Sequence, residues 1–331
     1  MQRILITGAS GFIGSFLVEE AVDRGFETWA GIRSTSSRRF LTKEGIRFLE
    51  LDFTSKASLH RTLADCAPFD YVIHCAGATK CVNEAEFDEV NYRQTRYLIE
   101  VLYDLGKMPR RFLFVSTLGV FGPLHEQDYA PIREDDRPAP NTAYGRSKLR
   151  AEQYMQSLPD LPYVIFRPTG VYGPREADYF LMVKSIARHM DFAAGFRRQD
   201  LTFVYVKDVV QAVFKAIERQ VSRRAYFLTD GEVYSGRDFS RLIERELGHP
   251  FVFRFVCPLW LLKGISLLSQ WWANRSGRTS TLNADKYKIM KQRNWRCDIS
   301  PTVDELEYEP AYRLDRGVAE TVAWYKQEGW L

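Results

Sequence analysis

Ile4-Leu5-Ile6-Thr7-Gly8-Ala9-Ser10-Gly11-Phe12-Ile13-Gly14 joins a short apolar run to three glycines spaced GxxGxxG, and a helical pattern over Phe12–Arg24, closed by Gly25, overlaps its end. The apolar run reads as a strand. Glycine at 8, 11 and 14 permits a tight turn and lets backbone N–H groups close on an anion lodged at the helix N-terminus. Gly8, Ser10, Gly11, Phe12 and Ile13 are therefore expected to cradle a pyrophosphate, with an ordinary strand–helix turn as the alternative. Outward from this point, Glu27–Ile32, Arg47–Leu51, Tyr71–Cys75, Phe112–Ser116 and Tyr163–Arg167 read as strands. Phe203–Val206 and Tyr226–Leu228 read as later ones, with helical patterns up to Arg219 and over Asp238–Leu247. Strand–helix alternation of this kind predicts an α/β fold with a doubly wound parallel sheet and a smaller, mostly helical C-terminal lobe.

A chain of 331 residues holds one large domain or two modest ones. The reading adopted is a dinucleotide-binding domain over 1–170, to which 203–230 returns, and a substrate lobe from 171–202 and 231–331. Hydrophobic residues make up 45% of the chain, enough for a sizeable core, and 46 basic against 42 acidic residues leave +4, too even for a nucleic-acid partner. Five cysteines (Cys66, Cys75, Cys81, Cys257, Cys297) form no CxxC pair and are odd in number. They read as reduced thiols in a cytoplasm, with neither a disulfide framework nor a metal site. Arg3 and the turn residues after it leave no room for a signal-peptide apolar stretch. Pro123–Asn141, rich in Pro, Asp and Glu, reads as a long surface loop. Lys286–Trp295 and Glu320–Leu331 read as surface helices.

Nineteen residues past Gly14, where a carboxylate would hold a ribose 2′-hydroxyl, stands Arg33, with Arg38 and Arg39 close behind. A guanidinium here suits a 2′-phosphate, which favours NADP over NAD; a solvated basic loop is the alternative. Tyr144 and Lys148 stand four residues apart on one helical face. A nearby cation draws a phenol down from its usual pKa of about 10 and makes it a usable general acid/base. Ser116-Thr117, 27 residues upstream, ends a strand, where a hydroxyl can orient a carbonyl beside that phenol.

With these residues assembled, the chain resembles the extended branch of the short-chain dehydrogenase/reductase superfamily, the NAD-dependent epimerase/dehydratase family. The resemblance runs from Ile4 to about Leu247 through TGASGFIG (Thr7–Gly14), LDF (Leu51–Phe53), VIHCAG (Val72–Gly77) and VNYRQT (Val90–Thr95). It continues through FVSTLGVFG (Phe114–Gly122), YGRSK (Tyr144–Lys148), RPTGVYGP (Arg167–Pro174) and FVYVKDVV (Phe203–Val210). It implies a Rossmann-type sheet, with Tyr144 as the catalytic acid/base and Lys148 lowering its pKa and binding the nicotinamide ribose. Thr117 would hydrogen-bond the reacting oxygen, beside a structural Ser116, and Asn91 would be tied to the active-site architecture. Asp52 and Phe53 would flank adenine, Cys75, Ala76 and Gly77 would line the cofactor's path, and Pro168 and Val171 would cradle nicotinamide. By the same resemblance the chain forms a homodimer through the helices carrying Asn91–Leu105 and Tyr144–Leu158. Apart from the motifs, Asp52 is an ordinary strand-end carboxylate and Asn91 a helix-cap residue.

Departures from the family pattern narrow the chemistry. Leu118 and Gly119 stand where the family's dehydratases carry Asp-Glu, so elimination of water is not expected. Arg167 and Leu201 stand where nucleotide-sugar binders commonly carry Asn and Arg. Leu201 offers a diphosphate no donor, although Arg167 could in principle reach a phosphate and Arg175, Lys184, Arg197 and Arg198 could substitute. Phe251–Ala273 (FVFRFVCPLWLLKGISLLSQWWA) points to an apolar substrate. Pro258 can start a helix with Trp260, Leu261, Leu267, Leu268, Trp271 and Trp272 along one side and Lys263, Ser266 and Gln270 on the other. The stretch falls short of a spanning helix. It would lie on a bilayer surface, roof an apolar pocket, or pack inward on the small lobe's own core. The resemblance runs nearest the sterol- and ketone-reducing members. The expectation is a NADP-preferring oxidoreductase, able to use NAD, that interconverts a ketone and a secondary alcohol on a small lipid-like molecule in the cytoplasm or at a membrane surface through 251–273. A nucleotide-sugar 4-epimerase is the alternative. A non-catalytic NADP-sensing regulator comes third, disfavoured by the intact Thr117, Tyr144 and Lys148.

Overall fold

The computed structural model describes residues 1–276 and 282–331. The first half runs β1 (Arg3–Thr7), α1 (Phe12–Asp23), β2 (Glu27–Ile32), β3 (Arg47–Glu50), α2 (Lys56–Ala64) and β4 (Tyr71–His74). Next, α3 (Glu84–Asp88) passes through a π-helical turn (Glu89–Arg93) into α4 (Gln94–Asp104), followed by β5 (Arg111–Val115), α5 (Ala143–Ser157) and β6 (Tyr163–Pro168). The second half brings β7 (Gly170–Tyr172), α6 (Asp178–Ala187), β8 (Met190–Ala194), β9 (Asp200–Leu201), β10 (Phe203–Tyr205), α7 (Val206–Glu218) and β11 (Arg224–Leu228). It closes with β12 (Tyr234–Ser235), α8 (Asp238–Glu246), β13 (Phe253–Cys257), α9 (Leu259–Ser276), α10 (Ala284–Lys291), α11 (Ser300–Leu306) and α12 (Leu314–Gln327).

Seven parallel strands form one Rossmann-type sheet in the order β11-β6-β5-β4-β1-β2-β3. Its central strands β1, β4, β5 and β6 are buried on both faces, which is why they read as nearly unbroken apolar runs, whereas the edge strand β3 keeps Arg47 and Glu50 exposed. Ile4 and Ile6 pack with Val209, Val213 and Phe214 of α7 on one face, while Leu5 joins Leu59, Leu98 and Met155 on the other. Each such side chain contributes about 1.5–3 kcal/mol by leaving water. The chain order reverses at β1, between β4 and β2, so the carboxyl end of β1 opens on the crevice where doubly wound sheets bind ligands. A separate apolar cluster joins Tyr172, Phe203, Tyr205, Phe239, Val318, Val322 and Tyr325, from β7, β10, α8 and α12.

Four expectations about the later elements need correction. The strand expected over Phe203–Val206 ends at Tyr205 and pairs only with β7, outside the main sheet, while Val206 opens α7. Pro123–Asn141 is not simply a surface loop: Ile132 is fully buried, and its N–H donates to the Arg296 carbonyl (2.9 Å). The Asn294 side-chain amide donates to the carbonyls of Leu124 (3.2 Å) and Ala130 (2.8 Å), so the C-terminal segment satisfies backbone groups the loop leaves unpaired. Lys286–Trp295 is helical only to Lys291, after which Gln292 and Asn294 turn inward and are buried. The final helix begins at Leu314 and buries Leu314, Val318, Val322 and Tyr325, an i, i+4, i+8, i+11 stripe facing the small-lobe core.

Candidate active site

Gly8 sits at φ +68°, and a Cβ there would lie 2.6 Å from the Ala76 nitrogen. On Gly14 it would lie 2.1 Å from the Gly8 carbonyl oxygen. Any side chain at either place would displace backbone. Gly11, immediately before α1, is exposed and offers no side-chain cap to the helix's first-turn N–H groups, while Ser10, Phe12 and Ile13 stand half-buried around it. An open, uncapped helix N-terminus behind a glycine turn fits a pyrophosphate. The Ala9 N–H donates to Gly31 O (3.4 Å) and the Leu51 N–H to Ile32 O (2.8 Å), so the ends of β1, β2 and β3 stand side by side. Arg33 and Asp52 therefore flank the glycine loop, both exposed. Of the neighbouring cations, Arg38 lies over the Phe48 ring and Arg39 pairs with Glu328. Hydrogen bonds from the Thr54 hydroxyl and amide hold the Asp52 carboxyl below its ordinary range. The Phe53 side chain belongs to the core beneath, 5.9 Å from the His74 ring.

Thr142 caps α5 by accepting the Gly145 N–H (3.0 Å), which sets Tyr144 in the first turn and Lys148 one turn on. Thr117 closes β5, its hydroxyl accepting the Gly119 N–H at 3.1 Å and keeping its own proton to donate. Lys148 is buried; Nζ donates to Val115 O (2.9 Å) and stands 4.5 Å from the Phe114 ring centre. Burial pushes this ammonium down to about 8. Burial also pushes the Tyr144 phenol above its ordinary value, against a downward pull from the Thr117 side chain. The lowered phenol that the Tyr144/Lys148 spacing predicts is thus corrected: desolvation dominates, and the ammonium is held by the Val115 carbonyl. One turn past Lys148, Glu152 is fully buried and accepts hydrogen bonds from Ser116 Oγ and from Arg167 (2.7 and 3.1 Å). Arg167, beneath the Phe121 and Phe227 rings, is committed to this pair and is no phosphate ligand.

Asn91 is buried at the π-helical turn, whose extra residue re-aims a side chain that a regular helix would direct elsewhere. Its side chain accepts the Ala78 N–H (2.8 Å) and donates to Ala78 O (3.0 Å) and Ser147 Oγ (3.0 Å). A Cβ on Gly77 would lie 2.9 Å from Asn91 Oδ1 and 3.1 Å from Lys148 Nζ, so the loop after β4 passes between these two groups because Gly77 has no side chain. Burial pushes the neighbouring Cys75 thiol up to about 11, and all five cysteines are free. Sequence reasoning missed His74, although a histidine inside an apolar strand is a visible signal. Its ring nitrogens lie 2.7 Å from Thr7 Oγ1 and 2.9 Å from Thr95 Oγ1, and Thr95 in turn donates to Asn91 O (2.8 Å). Burial pushes the imidazole down to about 3, so it is a neutral bridge from the glycine-loop strand to the π-helical turn.

Thr117, Tyr144 and Pro168 open on a cavity of about 720 Å³. Phe192, Leu201, Phe203, Val256, Met290 and Trp295 supply apolar walls, and Arg197, Arg198, Arg237 and Arg241 also line it. Arg198 pairs with Asp200 (2.7 Å) and Arg241 with Asp238 (3.7 Å). Arg175 is turned away, onto Glu19 (2.7 Å) and Ser15. Val171 pairs with Val204 and packs into the core behind Pro168. Leu118 is buried, and Gly119, which lines the cavity, brings no proton-transfer group to it. Arg237, Arg241, Met290 and Trp295 were not read from the sequence, because only long-range folding of α8, α10 and the 292–298 strap brings them here.

The family model of the NAD dependent epimerase/dehydratase family matches residues 4–228, from β1 to the last strand of the main sheet. The chain belongs to this family. The family is NAD-dependent and its members include oxidoreductases, epimerases and dehydratases, all on the extended short-chain dehydrogenase/reductase fold. Over 345 residues the chain is 26% identical to the uncharacterized protein YbjS of Escherichia coli (strain K12), covering 100% of this chain and 99% of that one. It is 24% identical over 335 residues to the sterol-4-alpha-carboxylate 3-dehydrogenase, decarboxylating, of Dictyostelium discoideum, covering 92% and 100%. The solved UDP-glucose 4-epimerase of Thermotoga maritima with UDP-glucose shares the fold at a TM-score of 0.79 and 22% identity, over 99% of both chains.

Proposed function

We propose that the protein is a NADP-preferring oxidoreductase that interconverts a ketone and a secondary alcohol on an apolar, lipid-like molecule. The observation that carries this reading is the cavity, where Tyr144 and Thr117 meet walls of Phe192, Leu201, Phe203, Val256, Met290 and Trp295. Enclosures of this size and lining take molecules of sterol or long-chain ketone dimensions. The sterol-dehydrogenase relative supports the same substrate class.

Gly8, Ser10, Gly11, Phe12 and Ile13 hold the pyrophosphate, Arg33 takes the 2′-phosphate, and Asp52 with the Phe53 backbone borders adenine. Cys75, Ala76 and Gly77 line the path to Pro168 and Val171, which border the nicotinamide. Once bound, that ring supplies or accepts the hydride. Burial keeps the Tyr144 phenol protonated, the form that donates from Oη to a carbonyl oxygen in reduction. Thr117, whose hydroxyl already accepts the Gly119 N–H, donates a hydrogen bond to the same oxygen and fixes it, keeping its own proton. Lys148, one turn on from Tyr144 along α5, supplies positive charge to the site when the oxygen carries negative charge, and Asn91 positions the loop that carries Gly77 past that ammonium. Leu118 and Gly119 leave no acid/base pair for elimination of water.

A nucleotide-sugar 4-epimerase is the second reading, favoured by Arg197, Arg198, Arg237 and Arg241 around the cavity, a donor set that could grip a diphosphate. We also read the half-buried Tyr92, Tyr97 and Tyr154 on α4, α5 and the π-helical turn as a homodimer face, to be checked by sedimentation. The deciding experiment supplies purified protein with NADPH or NADH and long-chain ketones, and separately with UDP-glucose and no added redox partner. Ketone-dependent NADPH consumption supports the oxidoreductase. Interconversion of UDP-glucose and UDP-galactose, with no ketone turned over, replaces it with the epimerase.

A further inference from the structure

The helix that could have packed inward does the opposite. Among the described side chains of α9 only Leu262 and Ser266 are buried, and with the half-buried Leu259, Ser269 and Gln270 they form its contact seam. Leu267, Trp260, Trp271, Leu268, Leu261, Trp272 and Ile265 occupy a continuous arc of roughly 160° that faces outward, with Trp260 75%, Leu268 60% and Trp272 64% exposed. The side chain of Ala273, at the end of the stretch singled out from sequence, lies outside the described part. The strand pair leading into α9 behaves the same way. Met190 and Phe192 of β8 stand opposite Phe253 and Phe255 of β13, all four exposed on one face of the ribbon, with the Phe192 and Phe255 rings stacked at 5.5 Å. Phe251 and Phe196 extend this surface. An exposed apolar area of this extent marks an interaction site.

Charge identifies the occupant. The segments 179–198 and 251–276, which contain this surface, carry seven basic residues (Lys184, Arg188, Arg197, Arg198, Arg254, Lys263, Arg275) and one acidic one, Asp191. Asp191 is buried. These segments therefore bear a formal +6, whereas the remaining 39 basic and 41 acidic residues leave the rest of the chain at −2. Arg198 and Arg254 are held by Asp200 and Glu244, which leaves Lys184, Arg188, Arg197, Lys263 and Arg275 to meet an anionic surface. Trp and Leu flanked by Lys and Arg, with no carboxylate between them, match the boundary of an anionic bilayer. No described helix is long and apolar enough to cross a membrane, so the contact is one of lying on the surface. The cavity adjoins this face: Phe192, Phe196 and Val256 of the ribbon region line it. So does Met290 in α10, the helix that Gln270 of α9 holds through the Ala284 N–H (3.2 Å).

We infer that α9 and the β8–β13 ribbon seat the protein on the surface of an anionic lipid bilayer, so that the cavity exchanges its apolar substrate with the lipid. The exchange rests on the ketone reading given above; the seating does not, and is read without turnover. The test is flotation of the full chain with vesicles of phosphatidylcholine alone or with one quarter phosphatidylglycerol, at low and high salt. The expected result is flotation with the anionic vesicles, a blue shift of tryptophan emission, and release by salt. Trp260→Ser with Trp271→Ser lowers the bound fraction at least tenfold, and Lys263→Gln lowers it roughly fivefold. Both variants keep the wild-type melting temperature and NADPH binding. Should the double variant fold poorly, the Lys263→Gln and salt results decide alone. Wild-type protein that stays unbound on anionic vesicles overturns the inference. So does a wild-type dimer that the Trp substitutions turn into a monomer, which would assign the face to a second copy of the chain. If vesicles bind but no ketone is reduced, the seating stands and the substrate reading falls.

Discussion

At the scale of single residues, chemistry is concentrated in side chains whose protonation is set by burial. Tyr144→Phe removes the proton donor and leaves the glycine loop untouched. Ketone reduction should fall by roughly 100-fold or more, with NADPH affinity nearly unchanged in a fluorescence titration. Folding lowers Lys148 from 10.5 to about 8, so between these values the unfolded chain binds the extra proton. Stability from this group therefore rises as pH climbs from 8 to 10.5, and below 8 the buried charge is a liability. Lys148→Met should be more stable than the wild type at pH 7 by up to about 3 kcal/mol while losing activity. That gain should fade toward pH 10.5, as urea unfolding at the two pH values can show; a variant less stable at pH 7 contradicts it. Arg33→Asp should move the NADP-to-NAD preference by roughly tenfold or more toward NAD, and an unchanged ratio of kcat/KM values removes Arg33 from cofactor choice. Gly8, Gly14, Tyr144 and Lys148 were legible in the sequence because their constraints are local: a turn, a helix start, a four-residue spacing. The direction of the Tyr144 shift was not, because desolvation depends on what folds over the phenol.

At the scale of elements, buried polar links join the parts that carry the site. Glu152 and Arg167 tie α5 to β6, and Ser116 at the end of β5 completes the set. Arg167→Met should destabilise by about 3–5 kcal/mol, because it leaves a carboxylate buried without its partner. Arg167→Met combined with Glu152→Gln should recover much of that loss in thermal unfolding. The Thr7–His74–Thr95–Asn91 chain links β1 to the π-helical turn in the same manner. Strands were readable because both faces of a parallel sheet demand apolar residues. The π-helical turn was not, since no residue in Glu89–Arg93 announces an extra backbone step, and neither was the outward aim of α9, which shares its composition with an inward-packed helix.

At the scale of the whole molecule, distant segments close the cavity. The 292–298 strap binds the 123–141 loop and presents Trp295 to the substrate space. Asn294→Ala removes two hydrogen bonds from a buried amide to part-buried carbonyls and should cost about 1–3 kcal/mol, with KM for ketone raised more than kcat is lowered. A change in neither stability nor KM would show the strap to be ornamental. The family match covers the sheet up to β11, whereas the cavity walls from α8, α10 and the strap lie beyond it. The most direct measurement of the proposed chemistry follows deuterium from NADPH deuterated at both C4 positions during incubation with a long-chain ketone, read by mass spectrometry of the product. The expected result is one deuterium on the new carbinol carbon with wild-type protein and none above background with Tyr144→Phe. Label that stays on the nucleotide while UDP-glucose and UDP-galactose interconvert would contradict the oxidoreductase reading.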